Sequence, residues 1–223
     1  MVRVYSALLK LESEFTQSSV VIKTSKQTRL PGRPRKFDIE QALDHAMHVF
    51  WKKGYDGATL HDLTTAMGIK PASLYKAFGS KQMLFERALT RYLGGPVAFI
   101  QSALSEPTAY AVAERTLRDS AEFLANQHTR CGCMTIQAAL VGGTESQAVR
   151  EELIALRLRS QDTLRQRFER AQEEGDLAKT ADAGDLARFV SAVFQGMTVQ
   201  AINGASLTQL LRLGEIALRG WPK

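Results

Sequence analysis

The stretch between Leu63 and Phe85 contains no acidic residue, and signals for the start of a helix stand just before it. The hydroxyl of Thr59 can cap such a helix by accepting a backbone N–H bond. Leu60, Leu63 and Met67 then follow with the i, i+3, i+7 spacing of one buried face. This spacing predicts a short amphipathic helix that begins directly after Thr59.

A tight turn and a second short helix are predicted to follow. Gly68 ends the first helix, because glycine adopts the left-handed backbone conformation that a sharp exit requires. Pro71 suits the first turn of the next helix, where its missing N–H costs nothing. Leu74 and Phe78 have the i, i+4 spacing of that helix's buried side. Two short helices joined in this way predict a helix-turn-helix.

The outward face of the second helix carries small, hydroxyl, phenolic and cationic side chains, which suit the major groove of DNA. We expect Tyr75 and Lys81 to contact phosphates. The other side chains either contact base edges or only lie beside them, and an ordinary exposed surface is the alternative for all of them. The candidate DNA contacts of this motif are Thr59, Lys70, Ala72, Ser73, Tyr75, Lys76 and Lys81.

The segment before the motif is strongly basic. Residues 1–36 hold eight Lys or Arg against two Glu, so they carry a net charge of +6, equal to that of the whole chain. They lack a sustained helical period and end in Pro-Gly-Arg-Pro-Arg-Lys, which is typical of a flexible arm with a polyanionic partner. Arg33, Arg35 and Lys36 have the form that enters an A·T-rich minor groove, and a solvated tail is the alternative.

Composition narrows the class of protein further. A chain of 223 residues with 44% hydrophobic residues can bury a substantial core. It has no apolar run of about 18 residues, so we expect no membrane span, and its first residues do not form a convincing signal peptide. Cys131 and Cys133 have a spacing unsuited to an ordinary disulfide, and two sulfurs cannot complete a zinc site. We therefore expect a reducing, cytoplasmic compartment and no cofactor.

The pattern along the chain predicts an all-α protein. Helix 1 is expected from Asp38 to about Gly54, the helix-turn-helix follows, and a further helix runs from about Ser80 to Leu93. Gly94-Gly95-Pro96 is the expected hinge, so residues 37–93 form one domain after the arm and residues 94–223 form another. Later helices are predicted near 97–104, 108–127, 133–142, 147–174, 182–203 and 206–219.

Residues 37–93 resemble the DNA-binding domain of TetR-family transcriptional regulators. The resemblance implies a homodimeric, all-helical repressor, in which an N-terminal three-helix helix-turn-helix domain is joined to a C-terminal domain for ligand binding and dimerisation. It also implies that a small-molecule effector releases the protein from double-stranded DNA. The matching residues are Phe50, Gly54-Tyr55, Thr59-Leu60, Leu63, Met67-Gly68-Ile69, Leu74-Tyr75, Phe78, Ser80-Lys81 and Leu84.

The last two predicted helices are apolar on more than one side. One side can face its own domain, and by symmetry the other is most simply covered by the same helices of a second chain. The candidate dimer contacts are Phe189, Val193, Phe194, Met197, Leu207, Leu211 and Leu218.

A ligand pocket follows from the resemblance and the architecture, and a filled core is the alternative at each position. We expect an aromatic or aliphatic ligand. The candidate ligand contacts are Tyr92, Phe99, Tyr110, Phe123, Met134, Gln137, Phe168 and Gln195.

Rival functions have weaker support in the sequence. No nucleophile elbow or phosphate-binding glycine loop indicates an enzyme, and the two cysteines have no obvious base. His45 and His48 have helical spacing but no third metal ligand nearby, so we predict no metal site. A ligand-independent architectural or interaction factor and a cysteine-based redox-responsive regulator remain as alternatives.

Overall fold

The computed structural model describes residues 37–127, 131–136 and 147–222, and all regular secondary structure within them is helical. The helices are α1 (Ile39–Gly57), α2 (Leu60–Met67), α3 (Pro71–Phe78), α4 (Lys81–Gly94), α5 (Phe99–Ala103), α6 (Ala109–Ala125), α7 (Gln147–Glu173), α8 (Ala183–Ile202) and α9 (Leu207–Leu218). Residues from Ile39 onward form one compact unit, in which two groups of helices can be distinguished by their packing. The predicted all-α fold is confirmed.

The first group is built around α1, which packs against both α2 and α4. Phe50 of α1 is fully buried and meets Phe85 of α4 edge to face, with ring centroids 5.1 Å apart. At the surface, the Arg91 guanidinium forms ion pairs with Asp44 and Glu40 of α1. The bond from Arg91 holds the pKa of Asp44 below its ordinary value. Together these contacts fasten α1 to α4.

The second group is centred on α6, which packs against α5, α8 and α9. Its core is rich in alanine and aliphatic side chains, so the helices approach closely. The buried Arg167 of α7 donates hydrogen bonds to the carbonyls of Leu104, Glu106 and Pro107. Arg167 thereby supplies hydrogen bonds to backbone carbonyls of the segment between α5 and α6.

Most helix ends lie where the sequence signals place them. Thr108, Asp182 and Ser206 each cap the helix that follows them through a side-chain oxygen. Gly54 has φ 69° and breaks the helical backbone as predicted, but a further turn continues to Gly57. Of the helix predicted over 133–142, residues 134–136 are helical, Cys133 is not, and residues 137–142 lie outside the described residues.

Within the described ranges, none of the helices has the length and apolar character needed to cross a membrane.

Candidate nucleic-acid interface

The start of α2 is held by reciprocal hydrogen bonds between Thr59 and Asp62. The Thr59 hydroxyl oxygen accepts a bond from the Asp62 backbone N–H, and the Thr59 backbone N–H donates to Asp62 Oδ2, each at 3.1 Å. Lys53 Nζ of α1 donates to Asp62 Oδ1 at 2.6 Å. Bonds from Lys53 and Thr59 hold the pKa of Asp62 well below its usual range. The predicted cap at Thr59 is confirmed, and the same residues join α1 to α2.

The turn between α2 and α3 has the predicted geometry. Gly68 has φ 64°, in the left-handed region, and the next backbone N–H, that of Ile69, donates to the Thr64 carbonyl at 3.0 Å. Lys70 is the N-cap of α3 without a side-chain capping bond, and Pro71 is the first helical residue. The Lys70 side chain is therefore exposed at the start of the second helix of the motif.

One side of α3 is buried and the other is exposed, as the spacing predicts. Leu74 and Phe78 are buried against the first group of helices. On the other side the Tyr75 side chain is 46% exposed, and Ala72 and Lys76 are also exposed. Ser73, also predicted to point outward, is half-buried. The short helix thus presents small, phenolic and cationic groups to solvent.

Lys81 lies at the beginning of α4, directly after α3. The Ser80 hydroxyl caps this helix by accepting a bond from the Met83 backbone N–H at 3.1 Å. The Lys81 ammonium lies 4.5 Å from the centre of the Tyr55 ring. A lysine at a helix N-terminus is disfavoured by the helix dipole, and an anion bound there gains from both the dipole and the ammonium. The arrangement suits a phosphate.

Three structural partners of this surface were not predicted as such. Asp62 completes the capping box, and the pattern Thr59-x-x-Asp62 could have indicated it. Lys53 and Tyr55 act through contacts between different helices, and local patterns carry no signal for these. The predicted arm contacts Arg33, Arg35 and Lys36 lie outside the described residues.

The predicted ligand contacts do not form a single cluster. Tyr92 and Phe123 pack against Trp51, Phe99 packs against Phe123, and the Met134 backbone N–H donates to the Tyr92 hydroxyl at 3.2 Å. Phe168 is instead buried in the second group against Trp221, with ring centroids 5.4 Å apart. Tyr110 and Gln195 are exposed, and Gln137 lies outside the described residues. The structure therefore brings four of the eight predicted residues together.

Both cysteines are thiols, and Cys133 is buried beside the same cluster. The Tyr92 hydroxyl lies 3.5 Å from Cys133 Sγ, and the Thr135 hydroxyl lies 3.1 Å from it. Burial, with a smaller contribution from Cys133, raises the pKa of Tyr92 well above its ordinary value. The described residues include no group of three or more His, Cys, Asp or Glu side chains arranged to hold a metal ion.

An open cleft of about 300 Å³ lies between the end of α8 and the start of α9. Gln200 and Asn203 contribute its polar lining, and Leu210 and Leu213 contribute apolar surface.

The predicted dimer contacts differ in how exposed they are. Phe189 is 43% exposed, Leu207 is exposed, and Val193, Phe194 and Leu211 are half-buried. Met197 and Leu218 are buried among the core residues of their own chain, so they offer little surface to a partner. The apolar residues of α8 and α9 that are exposed but were not predicted are Val199, Ile202, Leu213 and Ile216.

Two family models match the chain. "Bacterial regulatory proteins, tetR family" matches residues 42–88, and "Tetracyclin repressor-like, C-terminal domain" matches residues 113–205. The first match spans α2, α3 and most of α1 and α4, so it contains the helix-turn-helix described above.

Similar proteins extend the match along almost the whole chain. The transcriptional repressor ComR of Escherichia coli is 31% identical over 210 residues, covering 93% of this chain and 98% of ComR. The repressor BdcR of the same species is 31% identical over 196 residues, covering 87% of this chain and 94% of BdcR.

A solved structure gives the same result. A cysteine mutant of the TetR-family regulator CifR, in complex with double-stranded operator DNA, has a TM-score of 0.82 and 43% identity, covering 86% of this chain and all of that chain. The similar proteins are DNA-binding regulators and not enzymes. With its helix-turn-helix, its helical C-terminal part and these relatives, the chain belongs to the TetR family of DNA-binding transcriptional regulators.

Proposed function

We propose that this regulator is a homodimeric repressor that binds a palindromic operator and is released by a small, largely apolar ligand. The observation that carries the proposal is the exposed face of α3, with Tyr75 and Lys76, directly followed by Lys81 at the N-terminus of α4. ComR and BdcR, which are similar over most of their length, are both named repressors. Because the operator is part of the genome, we place the protein in the cytoplasm.

The DNA contacts divide by chemistry. The Tyr75 hydroxyl and the Lys81 ammonium fit phosphate oxygens, and Lys81 has the N-terminus of α4 beside it. Ala72, Ser73 and Lys76 on α3, with Lys70 at its N-cap, are placed to read or adjoin base edges, and Thr59 stands at the start of α2. Ser73 is half-buried, whereas Ala72 and Lys76 are exposed.

The basic N-terminal arm, residues 1–36, adds DNA contacts outside the described residues. With Arg33, Arg35 and Lys36 in the minor groove, it supplies a sequence-independent electrostatic contribution to affinity. Deleting residues 1–36 should therefore lower both operator affinity and its salt dependence, and an unchanged salt slope would make the arm a passive tail.

Dimerisation is supported by the exposed apolar face of α8 and α9. This face comprises Phe189, Val199, Ile202, Leu207, Leu213 and Ile216, and the half-buried Val193, Phe194 and Leu211 lie on the same helices. Large exposed apolar side chains concentrated on two adjacent helices mark an interaction surface. A second copy covers it symmetrically and sets two helix-turn-helix motifs apart by about one DNA turn, or a multiple of it.

The ligand contacts are best supported around Trp51, where Tyr92, Phe99, Phe123 and Met134 meet. These aromatic side chains would suit an apolar guest with few polar groups. The two proposed domains, residues 37–93 for DNA binding and 94–223 for ligand binding and dimerisation, are in contact at this cluster, because it joins residues on either side of the expected hinge at residues 94–96.

The test begins with duplexes selected by the protein from a randomised pool. We expect an inverted repeat, and Lys76→Ala should weaken binding to it by about tenfold if Lys76 reads a base. Lys179→Ala is the matched control, because Lys179 is an exposed lysine in the second group. Selection of no common sequence would contradict the repressor proposal.

The ligand is tested separately by a thermal-shift screen of apolar compounds, followed by operator release. Compounds that stabilise the protein and also dissociate the operator support ligand-gated repression. A protein that binds its operator and is stabilised by none of them supports the ligand-independent architectural or interaction factor.

A second candidate is a redox-responsive regulator, in which oxidation of Cys133 would be transmitted to α1 through one contact. The Cys133 thiol lies 3.5 Å from the hydroxyl of Tyr92, whose ring packs on Trp51 of α1. Operator binding before and after hydrogen peroxide, in the natural protein and in Cys133→Ser, tests it. Loss of binding only in the natural protein supports this function, and equal binding in all samples rejects it.

A further inference from the structure

One side chain of the DNA-binding helices reaches directly into the second group. Trp51 lies on α1, and its indole Nε1 donates a hydrogen bond of 2.7 Å to the carbonyl of Gly132. Its ring stacks on Phe123 of α6, with centroids 5.7 Å apart and planes 11° apart. Tyr92 of α4 meets the same ring edge to face at 4.9 Å. Trp51 is therefore fixed in both position and direction by elements far away in the chain.

Gly132 is also packed tightly against α8. Its φ is +66°, and a Cβ atom added there would lie 2.9 Å from both Ile202 Cδ1 and Thr198 Cγ2 of α8. Contacts that short force a neighbour to move, so α8 lies directly against the backbone that accepts the Trp51 bond. Gly132 thus links α1 to the helix that carries the exposed apolar face.

The position of Trp51 affects the placement of several helices, because α1 is fastened to its neighbours. The ion pairs of Arg91 with Asp44 and Glu40 fasten α1 to α4, and the capping box with Lys53 fastens α1 to α2. A rotation of α1 against α8 would therefore carry the whole reading surface with it. The fold is also similar to that of a CifR cysteine mutant solved in complex with operator DNA, with a TM-score of 0.82.

We propose that the Trp51 junction is the contact that sets the orientation of the helix-turn-helix relative to the dimer helices, with Trp51 as a positioning residue. The junction comprises Trp51, Tyr92, Phe123, Gly132, Thr198 and Ile202. This rests on the proposed function, because orientation matters only when two motifs must fit two half-sites at once. By restricting α1 to one direction, the junction reduces the ordering that operator binding would otherwise require.

The test replaces Trp51 with Phe, which keeps a stacking ring but removes the N–H. The chain has two tryptophans, so Trp221→Phe is the matched control: Trp221 packs on Phe168 in the core of the second group. Both variants are titrated with three kinds of duplex. These are the palindrome selected by the natural protein, the same palindrome with one base pair added or removed between half-sites, and a single half-site.

Trp51→Phe should weaken binding to the selected palindrome by about tenfold, because both loosened motifs of the dimer must then be ordered when the operator binds. Binding to the single half-site should stay unchanged, because the reading face of α3 is untouched. One base pair of extra spacing rotates the half-sites by about 35°. The penalty for this change should shrink in Trp51→Phe, since loosely held motifs accommodate the wrong spacing better.

A merely structural role predicts a different pattern. Loss of folded protein would weaken all three duplexes by one factor, leave the spacing penalty unchanged and overturn the proposal. Identical behaviour of the Trp51→Phe and Trp221→Phe proteins would also overturn it while leaving the proposed function intact. Failure of the natural protein to select any palindrome would reject the proposed function itself.

Gly132→Ala perturbs the same junction from the α8 side and leaves the tryptophan in place. It should reduce the spacing penalty as Trp51→Phe does, with a helical circular dichroism spectrum. A Gly132→Ala protein that folds and keeps the natural spacing penalty would overturn the proposal independently of the tryptophan variant.

Discussion

The two groups of helices differ in how they are held together and in what they leave exposed. In α1–α4, the helices are fastened by a capping box, edge-to-face aromatic pairs and the Arg91 ion pairs, and the exposed side of α3 is polar and cationic. In α6–α9, the helices share a core of alanine and aliphatic side chains, and α8 and α9 still expose large apolar residues. One surface suits a polyanion and the other suits a second copy of the chain, and their separation keeps DNA binding and assembly from competing for the same residues.

The largest expected effect comes from placing a charge on the apolar face. Ile216 of α9 is 53% exposed, and Ile216→Glu would bury two unpaired carboxylates in a symmetric dimer. We expect a loss of about 3 to 5 kcal/mol in dimer stability, with a monomer by light scattering and no palindrome binding. Ile154→Glu, on the exposed part of α7, is the control and should remain dimeric. A dimeric Ile216→Glu protein would move the interface elsewhere.

The same contrast explains how much could be predicted from sequence. Thr59, Gly68, Pro71 and the pair Leu74 and Phe78 are confirmed in their structural roles, because caps, turns and short helical faces depend on neighbours along the chain. Their contacts with DNA stay predictions.

In the second group, local sequence patterns could not predict which apolar side chains are buried. Helices α8 and α9 are apolar on more than one side, so the pattern could not show that Met197 and Leu218 face their own core while Ile202 and Ile216 are exposed. The cluster of Tyr92 and Phe123 with Trp51 depends on packing between helices distant in the chain, which composition and spacing do not specify.

A smaller effect is expected at the turn of the motif. Gly68 has φ +64° with open space around it, so Gly68→Ala meets no neighbour but must adopt a left-handed backbone. We expect a loss of about 1 kcal/mol, seen as a lower Tm. Gly94→Ala is the control, because a Cβ there also meets open space and Gly94 lies in helix α4. Equal Tm values for the two variants would show that the turn tolerates other backbone conformations.

A still smaller effect is expected from removing the predicted phosphate contact of Lys81. Lys81→Ala removes one ammonium from the N-terminus of α4, so the slope of log affinity against log salt should fall by about 0.9 for each copy bound to DNA. The loss should be similar on specific and random duplexes, because phosphates carry no sequence information. Lys179→Ala should leave the slope unchanged. A natural slope in the Lys81→Ala protein would remove Lys81 from the contacts.

The smallest effect expected is a pH dependence at the start of α2. Asp62 accepts bonds from Lys53 and Thr59, which lower its pKa in the folded protein below the unfolded value of about 3.9. Its contribution to stability is therefore present above the unfolded pKa and is lost as the pH falls through that value towards the folded pKa. Asp62→Asn should lower the urea midpoint at pH 7 and flatten its decline below about pH 4. Glu173→Gln, at an exposed carboxylate of α7, controls for the loss of one negative charge. If both variants show the natural pH dependence, the capping box stabilises the fold equally in its protonated form, and the fastening of α1 to α2 depends on packing instead.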